Sequence, residues 1–173
     1  MDAGLLKERF AGRRMRVLGI DPGTRLVGYG VVETRESRIL PVDFGVIRAG
    51  NTRPYAARLR KVFEGLRAVV LEHQPAEVAI EEAFYGKSVS AALRMGEGRG
   101  VAMVAVALED RPLFEYTPAE VKKSVVGNGR AHKSQVQEMV RVLLGLREIP
   151  TPEDAADALA IAICHCNRPL RTL

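Results

Sequence analysis

Three short apolar runs precede the first helical pattern, and they constrain the fold more than any other feature. The runs cover residues 16–20, 27–33 and 39–47, and turn residues or polar residues separate them. Links this short join antiparallel neighbours, because a parallel connection needs a crossover of a dozen residues or more. The sequence therefore begins with a predicted antiparallel three-stranded meander.

Helical and strand patterns alternate through the rest of the chain. Pro54 opens a predicted helix that extends to about His73, with apolar residues at helical spacing. Short strands are predicted at 78–81 and 113–116, and further helices at about 88–108, 117–127, 133–144 and 151–166. This order predicts an α/β fold: a mixed five-stranded sheet, three antiparallel strands followed by parallel strands, with helices on both faces.

Length and composition indicate one domain. The 173 residues suffice for a sizeable core, and no apolar stretch approaches the roughly 18 residues that cross a membrane. Residues 1–14 are interpreted as a disordered N-terminal extension, 15–167 as the domain and 168–173 as a C-terminal tail. Cys164 and Cys166 are two residues apart on a helix, so their side chains point in different directions and are not expected to form a disulfide with each other. This favours a reduced, cytoplasmic setting.

The net charge of +5 is unevenly distributed. Residues 111–147 combine many cations with few acids: Arg111, Lys122, Lys123, Arg130, Lys133, Arg141 and Arg147 against Glu115, Glu120 and Glu138. Such a surface suits a polyanion such as DNA. A solvated basic surface explains the charge equally well.

Four acidic positions stand at the ends of apolar segments. Asp21 follows the first run, Glu81 or its neighbour Glu82 ends the strand at 78–81, and Asp154 and Asp157 lie on one face of the Ala-rich last helix. Alternation along the strand does not decide between the two glutamates. Asp21 and Asp154 each have an ordinary interpretation, as a turn residue and as a helix-capping residue. Asp157 does not, because it lies on an apolar helix face where a buried unpaired carboxylate would be costly. If they converge, they cannot all stay ionised without a cation, and their oxygens suit Mg²⁺ or Mn²⁺. A metal-dependent phosphoryl-transfer enzyme is the resulting hypothesis.

Several further residues could bind a nucleic acid. Phe84 follows the two glutamates and could stack on an unpaired base, although an apolar core role is the alternative. Lys122, Arg130, His132 and Lys133 flank a glycine-containing loop and could hold phosphates, or could simply be solvated. The glycines of the second helix, Gly96, Gly98 and Gly100, predict close packing against another element, since glycine disfavours a helix interior.

Four motifs together resemble the RuvC family of bacterial Holliday-junction resolvases. They are LGIDPGT at 18–24, AIEE at 79–82, VVG at 125–127 and DAADALA at 154–160, and the resemblance spans about residues 15–167. It implies an RNase H-like fold. It also implies that Asp21, Glu81, Asp154 and Asp157 are the catalytic, metal-binding carboxylates.

The resemblance further implies a reaction and partners. The expected reaction is two-metal hydrolysis with Mg²⁺, for which Mn²⁺ would substitute, leaving 5′-phosphate and 3′-hydroxyl ends. Phe84 matches an aromatic that opens bases, Lys122 and Lys133 match basic residues, and His132 falls where some members carry an acid. The family acts as a homodimer on four-way DNA junctions, in recombination and repair, with the branch-migration complex RuvA–RuvB. The second helix, with its glycines and its apolar residues 101–108, is expected to form part of the dimer interface.

Two other functions are compatible with parts of the pattern. An ATP-using enzyme of the actin and Hsp70 type also places an Asp-x-Gly after its first strand, although such proteins have two lobes. A non-catalytic junction-binding module would need only the basic surface.

Overall fold

The computed structural model describes residues 14–36, 38–82 and 89–168. The strands in these ranges are β1 (Met15–Asp21), β2 (Leu26–Arg35), β3 (Arg38–Arg48), β4 (Glu77–Glu81) and β5 (Leu113–Tyr116). The helices are α1 (Tyr55–His73), α2 (Val89–Ala107), α3 (Pro118–Val126), α4 (Lys133–Leu144) and α5 (Glu153–Cys166). The order of elements is the predicted one, and β2 and β3 are slightly longer than predicted.

The five strands form one mixed sheet in the order β3-β2-β1-β4-β5. β1 and β3 pair with β2 in antiparallel fashion, whereas β4 is parallel to both β1 and β5. Pro41 is tolerated within β3 because β3 is an edge strand, where a missing N–H donor breaks no second ladder. The predicted fold class is confirmed.

Helices cover both faces of the sheet, and alternate residues of β1 supply the two cores. Leu18 and Ile20 belong to the core formed with α1 and α2. Val17 belongs to the core formed with α3, α4 and α5. The sequence alternation along β1 therefore decides which residues can face α5.

Helix α5 lies almost against the backbone of β1 and β2. A Cβ atom at Gly19 would be 2.0 Å from the carbonyl oxygen of Ala158, and a Cβ atom at Gly28 would be 2.0 Å from that of Asp154. No side chain fits at such distances, so glycine is required at both positions. In the ladder between β1 and β2, Gly28 is paired with Asp21. The glycines therefore let the first turns of α5 come close to the end of β1.

The glycines of α2 behave differently from one another. A Cβ atom at Gly98 would lie 2.7 Å from the carbonyl oxygen of Gly23, so α2 packs closely on the turn after β1. Cβ atoms at Gly96 and Gly100 would meet nothing within 4 Å. Of these three glycines, only Gly98 packs closely against another part of the described chain, and that part is the turn after β1.

Neither cysteine is in a disulfide: Cys164 and Cys166 are both free and buried in α5. Among the described residues, no helix combines the length and hydropathy needed to cross a membrane. Residues 1–13 and 169–173, most of the predicted extension and tail, lie outside the described ranges.

The contact between α5 and the sheet can be tested with one methyl group. We expect Gly19→Ala to lower the free energy of unfolding by about 3 kcal/mol and the melting temperature by roughly 6–12 °C, because the methyl group overlaps backbone atoms of α5. Val142→Ala is the control and should be neutral or stabilising, since Val142 is 55% exposed on the helix Lys133–Leu144 and alanine is the better helix former. Equal melting temperatures for the two variants, measured by circular dichroism, would contradict this packing.

Candidate active site

The ends of β1 and β4 bring two carboxylates together. These strands are parallel neighbours in which Ile20 is paired with Ile80. The next residue on each strand, Asp21 on β1 and Glu81 on β4, therefore lies beside the other. Ala79 belongs to the core beneath α5, and Glu81, two residues on, points to the same face. Glu82 is exposed. The structure therefore selects Glu81, the choice that sequence alternation alone left open.

Helix α5 adds the two aspartates. Asp157 lines a cleft of about 170 Å³ together with Asp21 and Glu81. The opposite wall comes from the starts of α3 and α4, through Pro118, Val121, Lys122, Lys133 and Val136. Asp154 does not line this cleft, but its charge raises the pKa of both Asp21 and Asp157. The other three predicted carboxylates thus all act on Asp21.

Burial and mutual repulsion raise the pKa values of three of these acids. Burial is the largest cause for Asp21, followed by the charges of Glu81, Asp157 and Asp154, and its pKa rises to about 8 although Lys133 opposes the shift. The pKa of Glu81 is raised by burial and by Asp157, against Lys122 and Lys133. The cluster therefore carries more negative charge than its surroundings stabilise.

Lys133, at the start of α4, is the nearest counter-charge. Its Nζ lies 2.8 Å from Oδ2 of Asp157 and 3.0 Å from Oε2 of Glu153. Burial lowers the pKa of Lys133, but the hydrogen bonds to the two carboxylates outweigh it and the net shift is upward. For Asp157, burial raises the pKa more than the bond to Lys133 lowers it. Glu153 was not among the predicted site residues, because an acid at a helix start has an ordinary capping interpretation.

Arg99 of α2 supports the site from the other face of the sheet. Its Nε donates to the carbonyl oxygen of Glu81 at 3.3 Å, and its guanidinium also pairs with Glu115 of β5. It therefore ties the end of β4 to its neighbour strand. The sequence gives little signal for this role, since Arg99 stands among the glycines of α2.

Two other predicted residues, Arg130 and His132, lie outside the cleft. Arg130 and His132 are exposed in the loop before α4, where their backbone N–H groups donate to Asn128 at 3.0 Å and to Gln135 at 2.9 Å. Neither is among the residues that line the cleft. Phe84 lies outside the described residues. The DNA contacts assigned to these three residues stay predictions.

The chemistry of the cleft fits a hard divalent cation. Within the described ranges, no group of three or more His, Cys, Asp or Glu side chains is arranged, as it stands, to hold a metal ion. The available donors are nevertheless carboxylate oxygens, which Mg²⁺ and Mn²⁺ prefer. A cation among them would offset the burial and the repulsion that together raise the pKa of Asp21 to about 8.

The raised pKa of Asp21 has a consequence for stability. An unfolded aspartate ionises near pH 4, whereas Asp21 in the folded chain ionises near pH 8, so the folded state holds the extra proton between these values. Stability must then fall as the pH rises through this window. In the absence of divalent cations, we expect Asp21→Asn to raise the melting temperature by roughly 4–8 °C at pH 8.5 and by much less at pH 4.5.

The neighbouring exposed acid provides the control for this measurement. Glu82→Gln removes one carboxylate outside the cleft, and it should shift the melting temperature little at either pH. A pH-independent effect of Asp21→Asn in scanning calorimetry would mean that Asp21 ionises like an exposed acid.

Residues 17–165 match the family of the crossover junction endodeoxyribonuclease RuvC. The chain is 48% identical over 153 residues to that protein from Desulfitobacterium hafniense (88% of this chain, 93% of the relative) and 52% identical over 153 residues to that from Syntrophotalea carbinolica (88% and 94%). A structure of Thermus thermophilus RuvC in complex with Holliday junction substrate superimposes with a TM-score of 0.82 at 35% identity, covering 87% of this chain and 92% of the other. The chain belongs to the RuvC family of crossover junction endodeoxyribonucleases.

Proposed function

We propose that this chain is a structure-selective endonuclease that resolves four-way DNA junctions by paired symmetric nicks. The observation that carries the proposal is the convergence of Asp21, Glu81 and Asp157 in one cleft, with the pKa of Asp21 raised to about 8. The domain that performs the reaction is residues 15–167. Hydrolysis leaves 5′-phosphate and 3′-hydroxyl ends.

Membership in the family implies dependence on a divalent metal. Asp21, Glu81, Asp154 and Asp157 would hold it, and we propose two Mg²⁺ ions, with Mn²⁺ able to substitute. When bound, such ions acidify the attacking water and stabilise charge on the phosphate and on the leaving oxygen. Binding requires the ionised carboxylates, so Asp21 must lose its proton as the site fills.

Two lysines of the cleft wall can act on the DNA. Lys122 and Lys133 stand opposite the carboxylates, where their ammonium groups can bind non-bridging oxygens of the scissile phosphate. Lys133 holds Asp157 in the structure described here and can turn from it to a phosphate, because its side chain is half-exposed at 51%. Acids on one wall and cations on the other would therefore orient a phosphodiester across the cleft.

Family membership favours this nuclease over the two alternatives raised by the sequence. The family matched by residues 17–165 is one of junction endonucleases, which favours the nuclease over an ATP-using enzyme of the actin and Hsp70 type. A purely binding module would not need buried carboxylates whose pKa values are raised by repulsion.

We also propose that the chain forms a homodimer through α2. Val89, Leu93 and Val104 are 78%, 65% and 53% exposed and follow one stripe of the helix. Gly96 and Gly100 lie on the same stripe with open space above them, which leaves room for a helix of a second copy. An apolar groove of about 470 Å³ between α1 and α2 adjoins it. Association with RuvA–RuvB stays a prediction of the family resemblance.

Cleavage of a synthetic four-way junction tests the catalytic proposal. In Mg²⁺, we expect Asp21→Asn to lower the cleavage rate at least about a hundredfold while junction binding is kept or improved, because a repulsive charge near the phosphate is lost. Glu82→Gln should cut like the wild type. Normal cleavage by Asp21→Asn, scored on a denaturing gel, would falsify the assignment.

Sedimentation equilibrium tests the dimer. We expect Val104→Glu to give monomers, because a charge would be buried in the apolar interface. Leu71→Glu replaces a similarly exposed apolar residue on α1, 47% exposed, and should leave the dimer intact. Dimers of unchanged affinity for Val104→Glu would place the interface elsewhere.

A further inference from the structure

A second run of cations lies on the other side of the cleft from Lys122 and Lys133. Residues 44–63 contain no Asp or Glu but include Arg48, Arg53, Arg58, Arg60 and Lys61. Arg60 is paired with Glu64 of α1 at 3.5 Å. We define the arginine patch as Arg25, Arg48, Arg53 and Arg58.

Backbone contacts gather the arginine patch at one place. The carbonyl oxygen of Arg25, in the turn after β1, accepts hydrogen bonds from the N–H groups of Ala49 at 3.0 Å and Gly50 at 2.9 Å. In the ladder between β2 and β3, Arg48 is paired with Leu26, the residue after Arg25. Arg53 precedes α1 by two residues. The turn after β1 and the loop after β3 therefore form one surface.

The arginine patch lies at the same end of the strands as the candidate active site. β1 and β3 run in the same direction because both are antiparallel to β2. Asp21 and Arg48 are the last residues of these two strands, so they lie at the same end of the sheet. Two strand spacings separate β1 and β3, roughly 10 Å. Duplex DNA carries about one negative charge per 1.7 Å of its axis, so a duplex with one phosphate at Asp21 has several others within that distance.

Carboxylates of the described residues do not neutralise the charges of the patch. Arg25, Arg48 and Arg53 are exposed, and in the part of the chain that the structure describes none of the four arginines pairs with a carboxylate. The guanidinium of Arg58 lies 5.2 Å from the centre of the Tyr55 ring, while its Nε is buried without a hydrogen-bond partner among the described residues. The first turn of α1 contains no acid.

Tyr55 links the patch to the catalytic strand. Its hydroxyl group donates a hydrogen bond to Glu97 of α2, and Thr24, in the turn that Asp21 opens, is near enough to act on the pKa of Tyr55. The carboxylate of Glu97 therefore accepts its hydrogen bond from Tyr55 and not from an arginine of the patch. A duplex held on the patch would therefore lie on a surface fixed to the turn that follows Asp21.

We propose that the arginine patch binds the phosphate backbone of a duplex arm flanking the cleavage point, so that cations on both sides of the cleft hold the DNA. This inference rests on the proposed nuclease function and names a further part of its substrate surface. The recognised chemistry is a run of phosphates at duplex spacing, and no base is read. The patch contributes binding energy and salt dependence, and the carboxylates contribute the chemistry.

The test is the salt dependence of junction binding, measured by fluorescence anisotropy in EDTA so that no cleavage occurs. The double variant Arg48→Gln/Arg53→Gln should weaken binding and reduce the slope of log K against log salt by about 1–2. Arg35→Gln/Arg38→Gln is the matched control. Both arginines are exposed, and they are opposite each other in the β2–β3 ladder at the other end of the strands. It removes the same charge and should leave the slope and the cleavage rate unchanged.

The possible outcomes separate a failure of the arginine-patch proposal from a failure of the nuclease proposal. An unchanged slope for Arg48→Gln/Arg53→Gln, or an equal change in the control, overturns the patch, since net charge alone would then explain the binding. If the wild type binds but does not cut the junction in Mg²⁺, the nuclease proposal fails while a changed slope still supports the patch. Melting curves in EDTA confirm that both double variants are folded.

Discussion

The close contact between α5 and the backbone of β1 and β2 determines the rest of the structure. Because Gly19 and Gly28 have no side chains, the carbonyl oxygens of Ala158 and Asp154 occupy the space that a Cβ atom would need. This contact buries α5 along nearly its whole length after the first turn. It also fixes how far the helix start lies from the end of β1. The carboxylates of α5 are therefore positioned by the same packing that forms one of the two cores.

That packing forces like charges together at an energetic cost. Burial and three neighbouring acids raise the pKa of Asp21 to about 8, and Lys133 offsets only part of this repulsion. Asp154 has one compensation, since it lies in the first turn of α5, where the helix dipole favours negative charge. A site destabilised in this way gains most from a ligand of opposite charge, and binding of that ligand to the folded state stabilises the whole chain.

The sequence predicted the order of strands and helices along the chain and the four acidic positions, because each depends on local pattern. Apolar runs joined by short links specified the meander, and acids at the ends of such runs marked the site. Glu81 could not be separated from Glu82 by alternation, since that choice depends on which face of β4 packs beneath α5. Arg99 and Glu153 were missed because their partners, Glu81 and Lys133, are remote in sequence. The cations of residues 44–63 are visible in the sequence, but only the sheet order puts them beside Asp21.

The two faces of the sheet serve different tasks, and the strand ends connect them. α3, α4 and α5 build the cleft on one face, whereas α1 and α2 present an apolar groove and the Arg58–Tyr55 pair on the other. Arg99 crosses between them, because it extends from α2 and holds the carbonyl oxygen of a residue whose side chain points the opposite way. A partner bound on α2 would therefore meet the element that supports Glu81. A dimer formed through α2, as proposed, would thus be coupled to the chemistry through the side chain of Arg99 and the backbone of β4.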